Sequence, residues 1–256
     1  MNNIIVQIEM RDVYLFRITR TDVAKKLTEV VREDPEWNEP WAKAKTYRTF
    51  TIRFADFCNA KNQAINKREM AAFFAQAAQE TRNGRDESYT DGLMLIHEQN
   101  TSLTYTTDNK IYPPVSGKKY YGRGPLQMSY NGNYGFASSC IFGDQSVLLN
   151  NPEILEKDAV AAFKSAIYFW MMPQSIKPSA HQLMVGSWKP TPEDLSKGRK
   201  AGFGMVTNII NGALECNKGE QNAAMLDRIG FYKAFLKILG GSDANCECSC
   251  GSMQSY

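Results

Sequence analysis

A mainly α-helical domain with long loops and little β structure is the fold class that these 256 residues predict. Three observations predict it. Apolar residues recur at i+3 and i+4 in most of the chain's apolar segments. Strand-like alternation is confined to residues 1–17. Stretches rich in Pro, Gly and Thr separate the periodic segments. Composition agrees with a packed domain: 43% of residues are hydrophobic and 22% charged, enough apolar content to exclude a disordered chain. The net charge of +3 lacks the basic excess of a nucleic-acid binder. No apolar run approaches a membrane span.

Residues 1–17 read as an extension with a short strand or hairpin. Its Gln7 and Glu9 interrupt the apolar run, so it does not read as a secretory leader. From Thr21 the positions Val23, Leu27, Val30 and Val31 take a helical period. Pro35 and Pro40 mark a loop. Phe50, Phe54 and Phe57 predict a helix over 49–65, and Met70, Phe73, Phe74, Ala77 and Ala78 another over 68–80. The polar, Gly-bearing 82–92 predicts a loop, and the Thr- and Tyr-rich 100–120 a loop or hairpin. Pro125 suits the first position of a following helix. Val160, Phe163, Ile167, Trp170 and Met171 share a face of a buried helix over 157–172. Four Pro make 173–198 loop-rich. Helices follow at 202–211, stopping at Gly212, and at 221–239. A polar, Cys-rich tail occupies 241–256.

Four constellations could carry chemistry. In Phe73-Phe-Ala-Gln-Ala-Ala-Gln-Glu80, the carboxylate shares a helix face with apolar residues. Desolvation raises the pKa of such a group and can keep it protonated for acid catalysis. A solvated last-turn Glu, or one paired with an Arg, is the plainer alternative. Glu98 ends the apolar run 93–96 and lies 18 residues beyond Glu80, with Glu87 as a rival. Two carboxylates spaced for an intervening water are what inverting glycoside hydrolysis needs. Tyr120-Tyr-Gly-Arg-Gly-Pro-Leu-Gln127-Met-Ser129-Tyr-Asn-Gly-Asn133-Tyr134 sets amides and a hydroxyl among Tyr rings suited to sugar stacking, although each Tyr taken singly is as readily a packing residue. It lacks the following Lys-Ser/Thr and the preceding strand of a phosphate loop. Asn208 and Asn211 share a face just before Gly212, where Asn211 either caps the turn or meets a ligand.

The block from Tyr120 to Ser129 closely resembles the YYGRGPIQLS segment of glycoside hydrolase family 19 chitinases. Thr207-Asn-Ile-Ile-Asn-Gly-Ala-Leu-Glu-Cys resembles their TNIINGGIEC. Ala162–Met171 resembles GFKTAIWFWM, with Tyr168 replacing a Trp. Lys177-Pro-Ser-Ala-His resembles KPSSH, and Asp227–Lys233 matches DRIGFYK. The blocks keep the family order. The resemblance covers residues 18–240, which sets the expected catalytic domain, and is weaker before Arg68. It implies a lysozyme-like, two-lobed α-helical fold with a substrate cleft. It implies endo-hydrolysis of β-1,4-linked N-acetylglucosamine polymers by inversion, with no metal or cofactor.

By this resemblance Glu80 is the general acid, although Gln79 replaces the family's His and Arg82-Asn83-Gly84 alters its GG. Glu98 aligns with the general base, in a segment without the plant Cys that looks more like the shorter loop of bacterial and phage members. Ser129 would hold the nucleophilic water. Gln127, Asn133 and Asn211 would bind acetamido sugars, with Tyr120 beside them. Arg228 and Glu215 would form a charged network near the catalytic pair. Gly132 stands where plant members carry Tyr, which removes one sugar contact. A chitin or other N-acetylglucosamine glycan is the expected partner of a monomeric, extracellular enzyme. A peptidoglycan hydrolase is the alternative, and a non-catalytic sugar-binding homologue a more distant one.

The chain has six Cys. The spacing Cys246-x-Cys248-x-Cys250 is not that of a zinc knuckle. The family bridges the Cys after its Asn-Gly block to one near the C-terminus, which implies a Cys216–Cys246 disulfide. Cys58 and Cys140 are expected free and buried.

Overall fold

The computed structural model describes residues 56–256 apart from 175. The readings for 1–17, for the helix from Thr21, for the loop at Pro35–Pro40 and for 49–55 lie outside the described residues.

The first described helix is α1, Gln63–Glu80. Asn62 caps it by accepting from the Ala64 amide at 2.9 Å. Met70 to Ala78 are buried around the whole circumference, so α1 runs through the core instead of lying on it. The helix expected over 49–65 does not continue across 56–62. Cys58 takes a left-handed φ of 50°. The Asn66 side chain clasps the Ala60 backbone at both its N–H and its carbonyl. These local bonds hold a turn that the Phe periodicity does not reveal.

Residues 81–130 contain no helix and only isolated bridges, His97 with Arg123 and Arg123 with Met128. The helix expected from Pro125 is instead a tight turn. Gly124 and Gln127 both have positive φ, and the Arg123 and Met128 backbones bond each other. That reversal leaves no room for a helix before Asn131. Then come α2 (Asn131–Phe142), closed by left-handed Gly143, α3 (Ser146–Asn150), α4 (Ile154–Lys157) and α5 (Ala159–Met171). Asp158 caps α5 by accepting from Val160 and Ala161. Val160 therefore sits at the solvated helix start, 56% exposed, and not in the buried stripe. Phe73, Phe57 and Trp170 meet edge to face in the core.

Two short helices interrupt the expected loop 173–198: α6 (Ala180–Met184) and α7 (Pro192–Ser196). Each starts with a reciprocal capping box, Ser179 with Gln182 and Thr191 with Asp194. The next helix, α8 (Phe203–Glu215), kinks at Asn211, whose φ of −141° is not helical, and passes Gly212 without stopping. The last helix is α9 (Ala223–Ile238).

The α1 and α9 helices pack together over much of their lengths. The loop 82–95 folds down on α9, where Tyr89 lies so close to Gly230 that a Cβ there would stand 1.9 Å from its ring. Residues 241–256 are a docked strap. Cys250 is fully buried, and the Gly204 amide donates to the Glu247 carbonyl. Arg199 donates to the carbonyls of Gln254 and Ser255 and stacks 3.7 Å over Tyr256. Gly204 has to lack a side chain, because a Cβ would meet the Ser249 carbonyl at 2.2 Å.

The strap corrects the expected disulfide. Cys216 bridges Cys250, not Cys246, and Cys246 bridges Cys248. The strap lies beside 217–219 here, with Asn217 donating to Cys250 O and Gly219 to Gly251 O. That pairing brings position 250 to Cys216. Cys58 and Cys140 are free and buried, as expected.

Candidate active site

A cleft of about 200 Å³ opens at the C-terminal end of α1. Glu80 forms one side, the turn 126–130 another, and Phe169 of α5 and Ile210 of α8 close it.

Beneath Glu80 lies a buried charge network. Arg228, on α9 and 2% exposed, reaches four acceptors. Its Nη2 donates to Glu80 Oε1 at 2.5 Å and to Glu215 Oε1 at 2.7 Å. Its Nε donates to Glu215 Oε2 at 2.8 Å, and Nη1 to Gln76 Oε1 at 2.6 Å. Gln76 passes the chain on to Thr207 Oγ1 at 3.0 Å, and Asn211 Nδ2 donates to Glu215 Oε1 at 2.6 Å. Burial acts to lower the Arg228 pKa, but the charges and hydrogen bonds of Glu80 and Glu215 outweigh it and hold it above the ordinary value. Of the alternatives for Glu80, the structure shows the Arg-paired one, with its side chain 21% exposed.

Glu98 comes from the loop. Two backbone ties fix where it stands. The Thr81 carbonyl accepts from both Met94 and Leu95, which returns the loop to the residue after Glu80. Glu98 N then donates to Gly122 O, and Gly124 N to Ile96 O. Glu98 is thus paired to the segment that turns into the cleft wall at 126–130. Its Oε2 accepts from the Tyr105 hydroxyl at 3.0 Å, and its buried Oε1 has no partner among the described residues. Tyr105 packs edge to face on Tyr130 at 5.2 Å, and Tyr130 lines the cleft. Burial, then the hydrogen bond and charge of Glu98, raise the Tyr105 pKa, so its hydroxyl keeps its proton as the donor. The rival Glu87 is exposed on the loop.

The cleft wall carries Gln127, Ser129 and Asn133 together. Ser129 Oγ donates to Gln127 O at 3.0 Å, and Asn133 Nδ2 to Ser129 O at 2.9 Å. Gln127 Nε2 is spent on Gly124 O at 3.0 Å, which stabilises the turn. Gln127, Tyr130 and Tyr105 all have positive φ, a conformation non-glycine residues hold only where surroundings impose it. Asn109 Nδ2 lies 2.7 Å from where a Cβ on Gly132 would stand, so the space of the family's Tyr is partly filled.

Two expected sugar contacts fall elsewhere. Tyr120 is fully buried, donating from its hydroxyl to Leu149 O and accepting from Val115 N, so its ring serves the core. Asn211 is turned to Glu215 by the α8 kink. Glu215 and Arg228 lie under the cleft floor, both buried. The sequence reading gave no role to Gln76, Thr207 or Tyr105. Gln76 had a signal, a polar residue within an otherwise apolar run, whereas nothing local marks Tyr105.

A family description, glycoside hydrolase 19, chitinase class I, matches residues 33–248. Endochitinase CH25 of Brassica napus is 46% identical over 200 residues, covering 75% of this chain and 61% of that protein. An endochitinase of Persea americana is 42% identical over 222 residues, covering 82% and 67%. The chain spans about three fifths of the length of several such plant relatives. Among solved structures, a family 19, class IV chitinase from Zea mays aligns at a TM-score of 0.56 and 31% identity, covering 86% of this chain and 98% of that one. Chitinase C from Streptomyces griseus aligns at 0.60 and 30%, covering 86% and 80%. The lysozyme-like α-rich fold expected from the sequence is the one these structures share with it.

Proposed function

The chain belongs to glycoside hydrolase family 19, and from that membership we propose an endo-acting chitinase that cleaves β-1,4-linked N-acetylglucosamine polymers with inversion. One observation carries the reading. Glu80 lines the cleft and is locked to Arg228, while Glu98, with a buried oxygen unpartnered among the described residues, is backbone-paired to the segment that leads into the cleft wall.

The chemistry divides accordingly. Glu80 Oε1 takes the Arg228 hydrogen bond, leaving Oε2 to donate a proton to the glycosidic oxygen as the C1–O bond breaks. Glu98 removes a proton from a water on the opposite face, and that water's oxygen forms the new bond to C1. The free Oε1 of Glu98 accepts the water's hydrogen, while Tyr105 holds Oε2. Ser129 Oγ supports the same water. The anionic Glu98 also stabilises positive charge developing at C1. Asn133 and Gln127 border the sugar path. Two disulfides fit an oxidising, extracellular setting.

Hydrolysis of a defined chitin oligomer, followed by NMR from the first seconds, tests this. The α anomer should be the first new reducing end. A β anomer would make the mechanism retaining. Turnover of bacterial cell walls but not of chitin oligomers would move the substrate to peptidoglycan.

A further inference from the structure

A second cavity, of about 220 Å³, lies at the other end of α1. Ile65 lines it and Glu80 lines the catalytic cleft, 15 residues apart on one helix. At 1.5 Å per residue that is a separation of about 22 Å. No residue is shared between the two cavities.

Its lining has two chemistries. Ile65, Leu183, Met184 and Val185 give an apolar wall. Arg68 and Asp243 give a donor and an acceptor beside it. Arg68 Nε is shielded from solvent and has no hydrogen-bond partner among the described residues, while its Nη1 stands 3.6 Å from Asp243 Oδ1. Asp243 is held in place by the Tyr232 hydroxyl, which donates to Oδ2 at 2.7 Å. A donor withdrawn from water with nothing to bond is unfavourable, the more so where the group is charged. A carbonyl entering the cavity would offset this.

We propose that this cavity is an accessory site for an acetamido sugar, remote from the cleft. An N-acetyl group offers what the lining lacks: a carbonyl oxygen for Arg68 Nε, an N–H for Asp243, and a methyl for the apolar wall. A plain hexose offers hydroxyls but no methyl, and leaves that wall facing water. The size suits one sugar unit at a chain end or an exposed loop of polymer. The inference rests on the chitin reading of the cleft for its polymer, and extends it. An enzyme holding an insoluble glycan at a second point raises the local concentration of substrate at the first.

The test uses the full chain and two probes, N-acetylglucosamine and glucose, at millimolar concentration. In ¹⁵N NMR, N-acetylglucosamine should shift the Arg68 Nε–H resonance and the amides of Ala201 and Gly202, and glucose should not. Arg68→Leu should abolish those shifts and slow hydrolysis of insoluble chitin several-fold, with turnover of a short soluble oligomer unchanged. Ala201→Trp, which fills the cavity from its rim and leaves Arg68 intact, should do the same. Absence of the Arg68 shift, or an equal shift with glucose, overturns the accessory site. So does an equal loss on soluble and insoluble substrate. Failure of the unaltered chain to cleave soluble oligomers would instead overturn the reading of the cleft, and the NMR shift would still decide the accessory site.

Discussion

Glu80, in the cleft, and Glu98, on the loop paired to the cleft wall, are held by opposite means. Glu80 stands on the last turn of a core helix and is fixed by a guanidinium that also binds Glu215 and Gln76. Glu98 stands in a loop without regular structure, fixed by the His97–Arg123 bridge, its backbone bond to Gly122 and one tyrosine hydroxyl. The first arrangement ties one Glu80 oxygen to a guanidinium that Glu215 and Gln76 also engage. The second keeps an oxygen in reserve. A group that must deliver a proton along one line benefits from rigidity, whereas one that must receive a water needs an unfilled acceptor. Positioning by packed helices and positioning by a strained loop therefore suit different halves of one reaction.

The largest effect should come from the rigid side. Glu80→Gln should lower turnover by about 10²–10⁴-fold, the usual worth of an acid–base group, with oligomer binding retained by calorimetry. Near-normal turnover would place the acid elsewhere. Glu98→Gln should cost most of the activity too, while Glu87→Gln should leave it near that of the unaltered chain. The reverse ranking would move the base onto the 82–92 loop.

Stability should separate the two sides in the same sense. Arg228→Met leaves Glu215 buried without its partner and should destabilise by about 3–5 kcal/mol, read by urea unfolding. Loss of the Cys216–Cys250 bridge in Cys216→Ser should cost about 2–4 kcal/mol. Tyr105→Phe removes one hydrogen bond to a charged group and should cost about 1.5–3 kcal/mol at most. It should depress turnover more than it lowers the melting temperature. If Arg228→Met and Tyr105→Phe destabilise equally, the contrast between the two sides is false.

A smaller, pH-dependent effect belongs to the far side of α1. His181 Nδ1 meets the buried Glu69 at 2.6 Å. Burial acts to lower the imidazole pKa, but the Glu69 hydrogen bond and charge, with the charge of Asp56, raise it overall above 6.5. A raised folded-state value means the stabilisation is complete below the unfolded pKa and fades as pH rises through the folded one. The melting-temperature gap between the unaltered chain and His181→Gln should therefore be widest at acidic pH and shrink on the alkaline side. A gap that widens with pH would reverse the sign.

The helical half was largely legible from sequence because its determinants are periodic. α5 and α9 follow from i, i+3 and i+4 spacing, and α1 from its Phe and Ala run. Glu80 was legible for the same reason. The family blocks located Arg228, Glu215 and Ser129. The rest depends on bonds between distant or non-periodic groups. The turn at 123–128 is fixed by backbone pairing and positive φ, which no hydrophobic period records. Tyr120 looked like a sugar platform because Tyr suits both a surface and a core, and only its contacts with Leu149 and Val115 decide. The wrong partner for Cys216 has a similar cause. The family resemblance points to Cys246, but the register of 217–219 against 250–251 selects Cys250.

The docked strap sets the order in which this molecule can become complete. The backbone at Gly204, the side chain of Asn208 and the guanidinium of Arg199 take their partners from Glu247, Gln254 and Ser255. Those residues leave the ribosome well after α8 itself. Until they emerge, the helix that carries Asn211 and Glu215 has open hydrogen-bonding positions along one flank, and the sulfur of Cys216 has no mate. The charged floor beneath Glu80 is thus among the last parts to be sealed during synthesis, although the central helix that bears Glu80 is made more than a hundred residues earlier.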